Sequence, residues 1–178
     1  FQDKNKPLYK IAKAVALNKI PPDQWKIFIH NRFDSVHIKI NPDFIDEILK
    51  ITGCHPYYTQ QLCHEIFNVC LSKEKNLIID LQDISRAKDK CIQAQSYAYA
   101  IIWDSLAAKQ KALVIAVGKN DNANIYSQDF LEKYSLGPAA TVQTAVKALE
   151  KKGILDREND SYFISDVFFV EWLKKKIV

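Results

Sequence analysis

Apolar residues recur at helical spacing through most of the chain. In "PPDQWKIFIHNRF" (21–33), Trp25, Phe28, Ile29 and Phe33 fall on one stripe behind Asp23, which predicts an amphipathic helix entered through prolines. After "NPD" (41–43), Phe44, Ile45, Ile48 and Leu49 predict a second helix, with Gly53 placed to stop it. A third starts at Pro56. Its stripe is Tyr58, Leu62, Ile66 and Val69, flanked on the core side by Cys63, Phe67 and Cys70, while Gln60, His64 and Asn68 take the polar face. "AKAVALNKI" (12–20) alternates weakly and is read as extended, and "SKEKN" (72–76) as a polar turn. "IIDLQDISRAKDKCIQAQSYAYAIIWDSL" (78–106) opens on a short extended piece, after which Asp80 caps a long helix.

Beyond residue 105 the pattern changes. Two short helical patterns and a "SLGP" turn (135–138) precede a helix with Val142, Ala145, Val146 and Leu149 at i, i+3, i+4 and i+7. Pro138 suits its first turn and Gly153 its C-terminal cap. In "GILDRENDSYFI" (153–164), Ile154 and Leu155 predict one strand, 156–161 a charged turn, and Tyr162 to Ile164 the returning strand. The final "DVFFVEWLKKKI" (166–177) is an amphipathic helix whose Phe168, Phe169 and Trp172 close the core, with Lys174 to Lys176 as a solvated end. The fold class is mainly α: a helical region over 1–104, with 1–20 the candidate end of a preceding core, then a winged helix over 105–178, three helices plus a β-hairpin wing.

Composition narrows the partners. Almost half of the 178 residues are apolar, which suits a folded domain with a core of its own. The apolar runs 97–103 and 112–117 are far too short to cross a bilayer, so the reading is a cytoplasmic protein with no membrane partner. Four cysteines, three of them in helical patterns, suit free thiols in a reducing compartment. Residues 1–104 carry 14 basic and 12 acidic groups and 105–178 carry 11 and 9, so each part is only +2 and neither is a basic module. The chain begins at Phe1 and contains no methionine, and reads as a portion of something longer.

The densest candidate chemistry is "ITGCHPYYTQQLCHE" (51–65), with two adjacent Cys-His pairs. A structural zinc site needs four convergent ligands, whereas neighbouring helical residues such as Cys63 and His64 point about 100 degrees apart. A Cys-His nucleophile needs an exposed thiol of lowered pKa and an orienting third group, which nothing here supplies. Asp43, Asp46 and Glu47 are acids at a helix start, explained by capping and the helix dipole. On the last helix before the hairpin, the face opposite the apolar stripe holds Thr141, Gln143, Thr144, Lys147 and Lys151, the groups that would meet a DNA groove if this is a helix-turn-helix. The wing tip "DRENDS" holds three acids and one arginine, which favours a protein partner over a phosphate backbone.

"ITGCHPYYTQQLCHEIF" resembles the "tgGHPyylQ" element in the lid of the archaeal-type ATPase family, P-loop NTPases related to the AAA+ and STAND groups. "FQDKNKPLYKIAKAVALNKIPPDQWKIFIHNRF" resembles that family's passage from its core into the lid. "SLAAKQKALVIAVGK" and "GPAATVQTAVKALEKKGILDRENDSYFISDVFFVEWL" resemble its C-terminal winged helix. The resemblance implies a helical lid that folds over ATP or ADP, with Mg, held by a preceding P-loop domain. By the same resemblance Gly53, His55, Pro56 and Tyr57 lie at the adenine, Pro56 facing it. Cys54 departs from the pattern, standing where the family has a glycine.

No pair among Gly53, Gly118, Gly137 and Gly153 has the G-x-x-x-x-G-K-[ST] spacing that wraps phosphate, so this chain alone is expected neither to hydrolyse nor to hold nucleotide. The expectation is a lid and winged helix that couple the nucleotide state of a longer ATPase to DNA or to a regulatory protein. A Walker A motif is expected roughly 150 to 250 residues upstream, from usual domain size. The alternatives are a winged-helix transcription regulator and a protein-interaction or autoinhibitory module.

Overall fold

The computed structural model describes residues 20–73, 77–120 and 124–177. The weakly alternating stretch expected before Ile20 and most of the polar turn expected after Ser72 lie outside these residues.

Three proline-led helices come first: α1 (Pro22–Asp34), α2 (Pro42–Thr52) and α3 (Pro56–Leu71). Each proline sits where a helix has no use for an N–H, so its missing donor costs nothing. The Asn41 side chain caps α2 by accepting from the Asp43 N–H at 2.9 Å, and Gly53 ends the helix at φ +57°. α3 lies along α4 (Leu81–Asp104), an unbroken 24-residue helix. A reciprocal capping box starts α4: Asp80 accepts from the Asp83 N–H and Asp83 from the Asp80 N–H, each at 2.9 Å. The extended piece before it pairs with Lys39, which donates to Leu77 O and accepts from the Ile79 N–H.

The second part comprises α5 (Ala108–Gly118), α6 (Gln128–Lys133), α7 (Ala139–Lys151), the antiparallel hairpin of β1 (Leu155–Glu158) and β2 (Ser161–Ile164), and α8 (Val167–Ile177). α7 and β2 pack on α5, and α8 packs on α4, α5 and β2. Val142, Ala145, Val146 and Leu149 are buried together, as their spacing predicts.

Several expectations are corrected. Phe28, placed in the buried stripe of α1, is 49% exposed, because Trp25, Ile29 and Phe33 already fill the side facing α2. Cys63 is half-buried at the margin of the core, while Leu62 and Ile66 take its centre. Pro138 stands just before α7 as its cap and not within its first turn. The hairpin turn is also tighter than expected. β1 runs from Leu155 to Glu158, and only Asn159 and Asp160 turn the chain, both with positive φ, the backbone twist a two-residue hairpin needs. Finally, the lysine run of α8 is not merely solvated: Lys174 pairs with Glu171 at 2.8 Å, Lys175 with Asp89 at 2.5 Å, and Lys176 lies over the Trp172 ring.

Candidate functional site

The link between α2 and α3 holds the four residues singled out at positions 53–57. Gly53 and Cys54 both adopt φ +57°, after which His55 and Pro56 return to extended and helical backbone. Two consecutive left-handed residues reverse the chain so that α3 leaves beside α2. Glycine does this freely; for Cys54 it is a strained conformation. The strain is held from three sides. The Trp25 indole N–H donates to the Cys54 carbonyl at 3.1 Å, the Cys54 N–H donates to Leu49 O at 3.1 Å, and the hydroxyls of Thr52 and Thr59, both fully buried, hydrogen-bond at 2.8 Å across the turn. The turn is therefore a fixed object, which suits presentation of side chains to a ligand.

It brings together all four residues and splits them by exposure. Gly53, His55 and Tyr57 are exposed, Tyr57 at 58%, and Pro56 is half-buried. A Cβ at Gly53 would meet nothing within 4 Å, so the space above that backbone is open. Tyr58 turns inward. Its ring contacts His55 at 4.7 Å and Tyr57 at 5.2 Å between centroids, and meets Phe168 of α8 edge-on at 5.6 Å. Burial, with Asp166 and Tyr57 as further causes, pushes the Tyr58 phenol well above its ordinary pKa, so it stays protonated.

Behind Tyr58 a cleft of about 500 Å³ is lined by Tyr99, Asp166, Ser105 and Lys152 among others. The Tyr99 hydroxyl donates to Asp166 Oδ2 at 2.9 Å, and Asp166 Oδ1 accepts from the N–H groups of Phe168 and Phe169, capping α8. Trp172 donates to Ser96 Oγ at 3.1 Å. Sequence reasoning missed Trp25, Thr52, Thr59, Tyr99 and Asp166 in these roles. Asp166 ahead of an apolar helix is a readable cap signal, whereas the Trp25 and Tyr99 bonds span 29 and 67 positions and carry no local mark.

The Cys-His pairs converge nowhere. No group of three or more His, Cys, Asp or Glu capable of holding a metal occurs among the described residues. Burial pushes the Cys63 thiol up to about 12, which keeps it unreactive.

The second surface is the outer face of α7. Thr141, Gln143, Thr144, Lys147 and Lys151 are all exposed on it, though the Thr144 hydroxyl donates to Ala140 O at 3.2 Å. Beside them the β-hairpin presents Asp156, Glu158 and Asp160 with Arg157 as the one cation. Two lysines on the helix, with three acids and one arginine on the hairpin, make an exposed set of mixed sign.

Comparison with known proteins agrees with this architecture. Residues 97–175 match the family described as "Probable winged helix domain". Among solved structures, a Walker-type ATPase of Pyrococcus abyssi is similar at a TM-score of 0.69 and 15% identity, over 97% of this chain and 47% of that one. This chain thus spans about half the length of that protein and shares its fold there. No curated protein matches the sequence significantly.

Proposed function

We propose that this chain is the lid and winged-helix part of a P-loop ATPase of the AAA+/STAND-related, archaeal type, and that it closes over ATP or ADP held with Mg by a separate P-loop domain. The observation that carries the reading is that the structural likeness to a Walker-type ATPase takes in 97% of the chain, helical region and winged helix alike, against 47% of that protein. The rigid turn supports it locally. Tyr57 offers an exposed aromatic face, His55 a neighbouring ring, and Gly53 an open backbone, which together suit stacking of a flat base against Pro56. Such a turn supplies binding and closure; phosphate chemistry belongs to the P-loop. The test is photolabelling of the longest natural form of the protein with 8-azido-ATP. Label in the peptide containing residues 53–57, lost in Tyr57→Ala, is expected; label confined to other segments would sink the reading.

A protein partner is favoured for the winged helix over DNA. Only Lys147 and Lys151 among the five α7 face residues are cationic, and the adjoining wing is mostly acidic, whereas duplex binding draws on several phosphate contacts. Anisotropy titration with duplex DNA at 50 and 200 mM salt separates the two. Absence of binding, or binding that ignores salt, is expected, and affinity falling about 100-fold or more between those salts would instead establish groove binding.

A further inference from the structure

We propose that Tyr58 couples the 53–57 turn to the start of α8, so that whatever occupies the turn changes the stability of the winged helix's closing element. The proposal rests on the nucleotide reading only for the identity of the occupant; the coupling is a property of this chain.

Every contact on the path is in place. His55 and Tyr57, which face outward, both touch the Tyr58 ring. That ring meets Phe168, whose side chain is fully buried in the first turn of α8. The N–H groups of Phe168 and Phe169 are held by Asp166 Oδ1 at 2.8 and 3.1 Å, and Asp166 Oδ2 is held by Tyr99 of α4. Tyr99 in turn packs against Phe169 at 5.3 Å and Trp172 at 6.0 Å. A close-packed interior does not absorb displacement gradually. The turn is also pinned by Trp25 of α1 through the Cys54 carbonyl. Rearranging His55 or Tyr57 therefore shifts Tyr58 against Phe168, and with it a helix that packs on β2 and α5. Coupling of this kind is reciprocal, so it can be read from either end.

Amide hydrogen exchange on the intact chain, resolved by residue, reads it without any ligand. Tyr99→Phe removes the donor to Asp166 and is expected to speed exchange at the Phe168 and Phe169 amides roughly tenfold, the loss of one hydrogen bond to a charged acceptor. Coupling predicts a rise of at least about threefold also at Cys54 and Thr59, whose N–H groups donate to Leu49 O and His55 O. Tyr57→Ala, a surface change, should in reverse alter exchange at Phe168 and Phe169. In a Tyr58→Leu background the Tyr99→Phe effect should stop at α8. Changes confined to the mutated side in both Tyr99→Phe and Tyr57→Ala overturn the proposal. Intact coupling in a protein whose turn takes no azido-nucleotide label would overturn the nucleotide reading alone.

Discussion

At the residue scale, Cys54 is a position where sequence and backbone disagree. A side chain at φ +57° costs on the order of 1 kcal/mol, and Cys54 carries that cost in a turn fixed by Trp25, Thr52 and Thr59. Cys54→Gly should raise stability by about 0.5 kcal/mol, the relief of strain outweighing the greater freedom of the unfolded chain and the lost contact of a half-buried thiol. Gly53→Ala tests the same physics in the opposite direction. Its new methyl meets no atom within 4 Å, so the expected loss of about 1 kcal/mol comes from the backbone alone. Urea unfolding midpoints check both, and an unchanged midpoint for Gly53→Ala would contradict the assignment of strain.

At the scale of elements, the two ends of α4 make different demands. At its start Asp83 is wholly buried; its Oδ2 accepts from Lys73 and from the Asp80 N–H, while Oδ1 has no hydrogen-bond partner among the described residues. Removing the cation leaves a buried carboxylate uncompensated, so Lys73→Met should cost about 3 kcal/mol in equilibrium unfolding, and Asp83→Asn, which keeps the cap without the charge, clearly less. Further along, Glu171 of α8 bridges Lys88 of α4 at 3.1 Å and Lys174 at 2.8 Å. Burial by itself would push the Glu171 carboxyl up, but the hydrogen bonds from Lys174 and Lys88 outweigh it and hold the group below its usual 4.5. Its contribution is thus fully present above about pH 4.5 and is lost as pH falls through the depressed folded-state value. Thermal melts from pH 6 down to pH 3 should show an acid-side loss that shrinks in Glu171→Gln; an identical profile would exclude this bridge as the source.

These elements also show what was legible in advance. Helix starts were readable because Pro22, Asn41-Pro42, Pro56 and Asp80 act on their own immediate backbone. The α7 stripe was readable because its period matches the helix. Phe28 was misplaced since periodicity reports which residues share a face, not how wide the buried part of that face is. The turn's residues could be picked out in sequence, but not the clamp that fixes them, because the Trp25 indole bond depends on how α1 meets α2.

At the scale of the molecule, no helix among the described residues is long and apolar enough to cross a membrane. What distinguishes the whole is the length of α4, on the order of 36 Å at 1.5 Å per residue, which contacts α3 along one side and α8 along another. A fragment of residues 105–178 would lose Ser96 and Tyr99, leaving the Trp172 indole N–H and Asp166 Oδ2 without their partners and the rings of Phe169 and Trp172 without theirs. That fragment should show weak near-ultraviolet circular dichroism and no cooperative melt, whereas the intact chain should melt cooperatively. A sharp transition in the shorter piece would refute the dependence.

The same helix bears on descent. A winged helix that borrows its closing partners from the preceding helix cannot be exchanged between genes at its own first residue. A recombination that moved it intact would cut upstream, in the short extended stretch before Asp80, whose backbone bonds Lys39 and the Lys73 side chain. The mobile unit in evolution would then be α4 and the winged helix together, carried as one piece and grafted beside whatever helices came before.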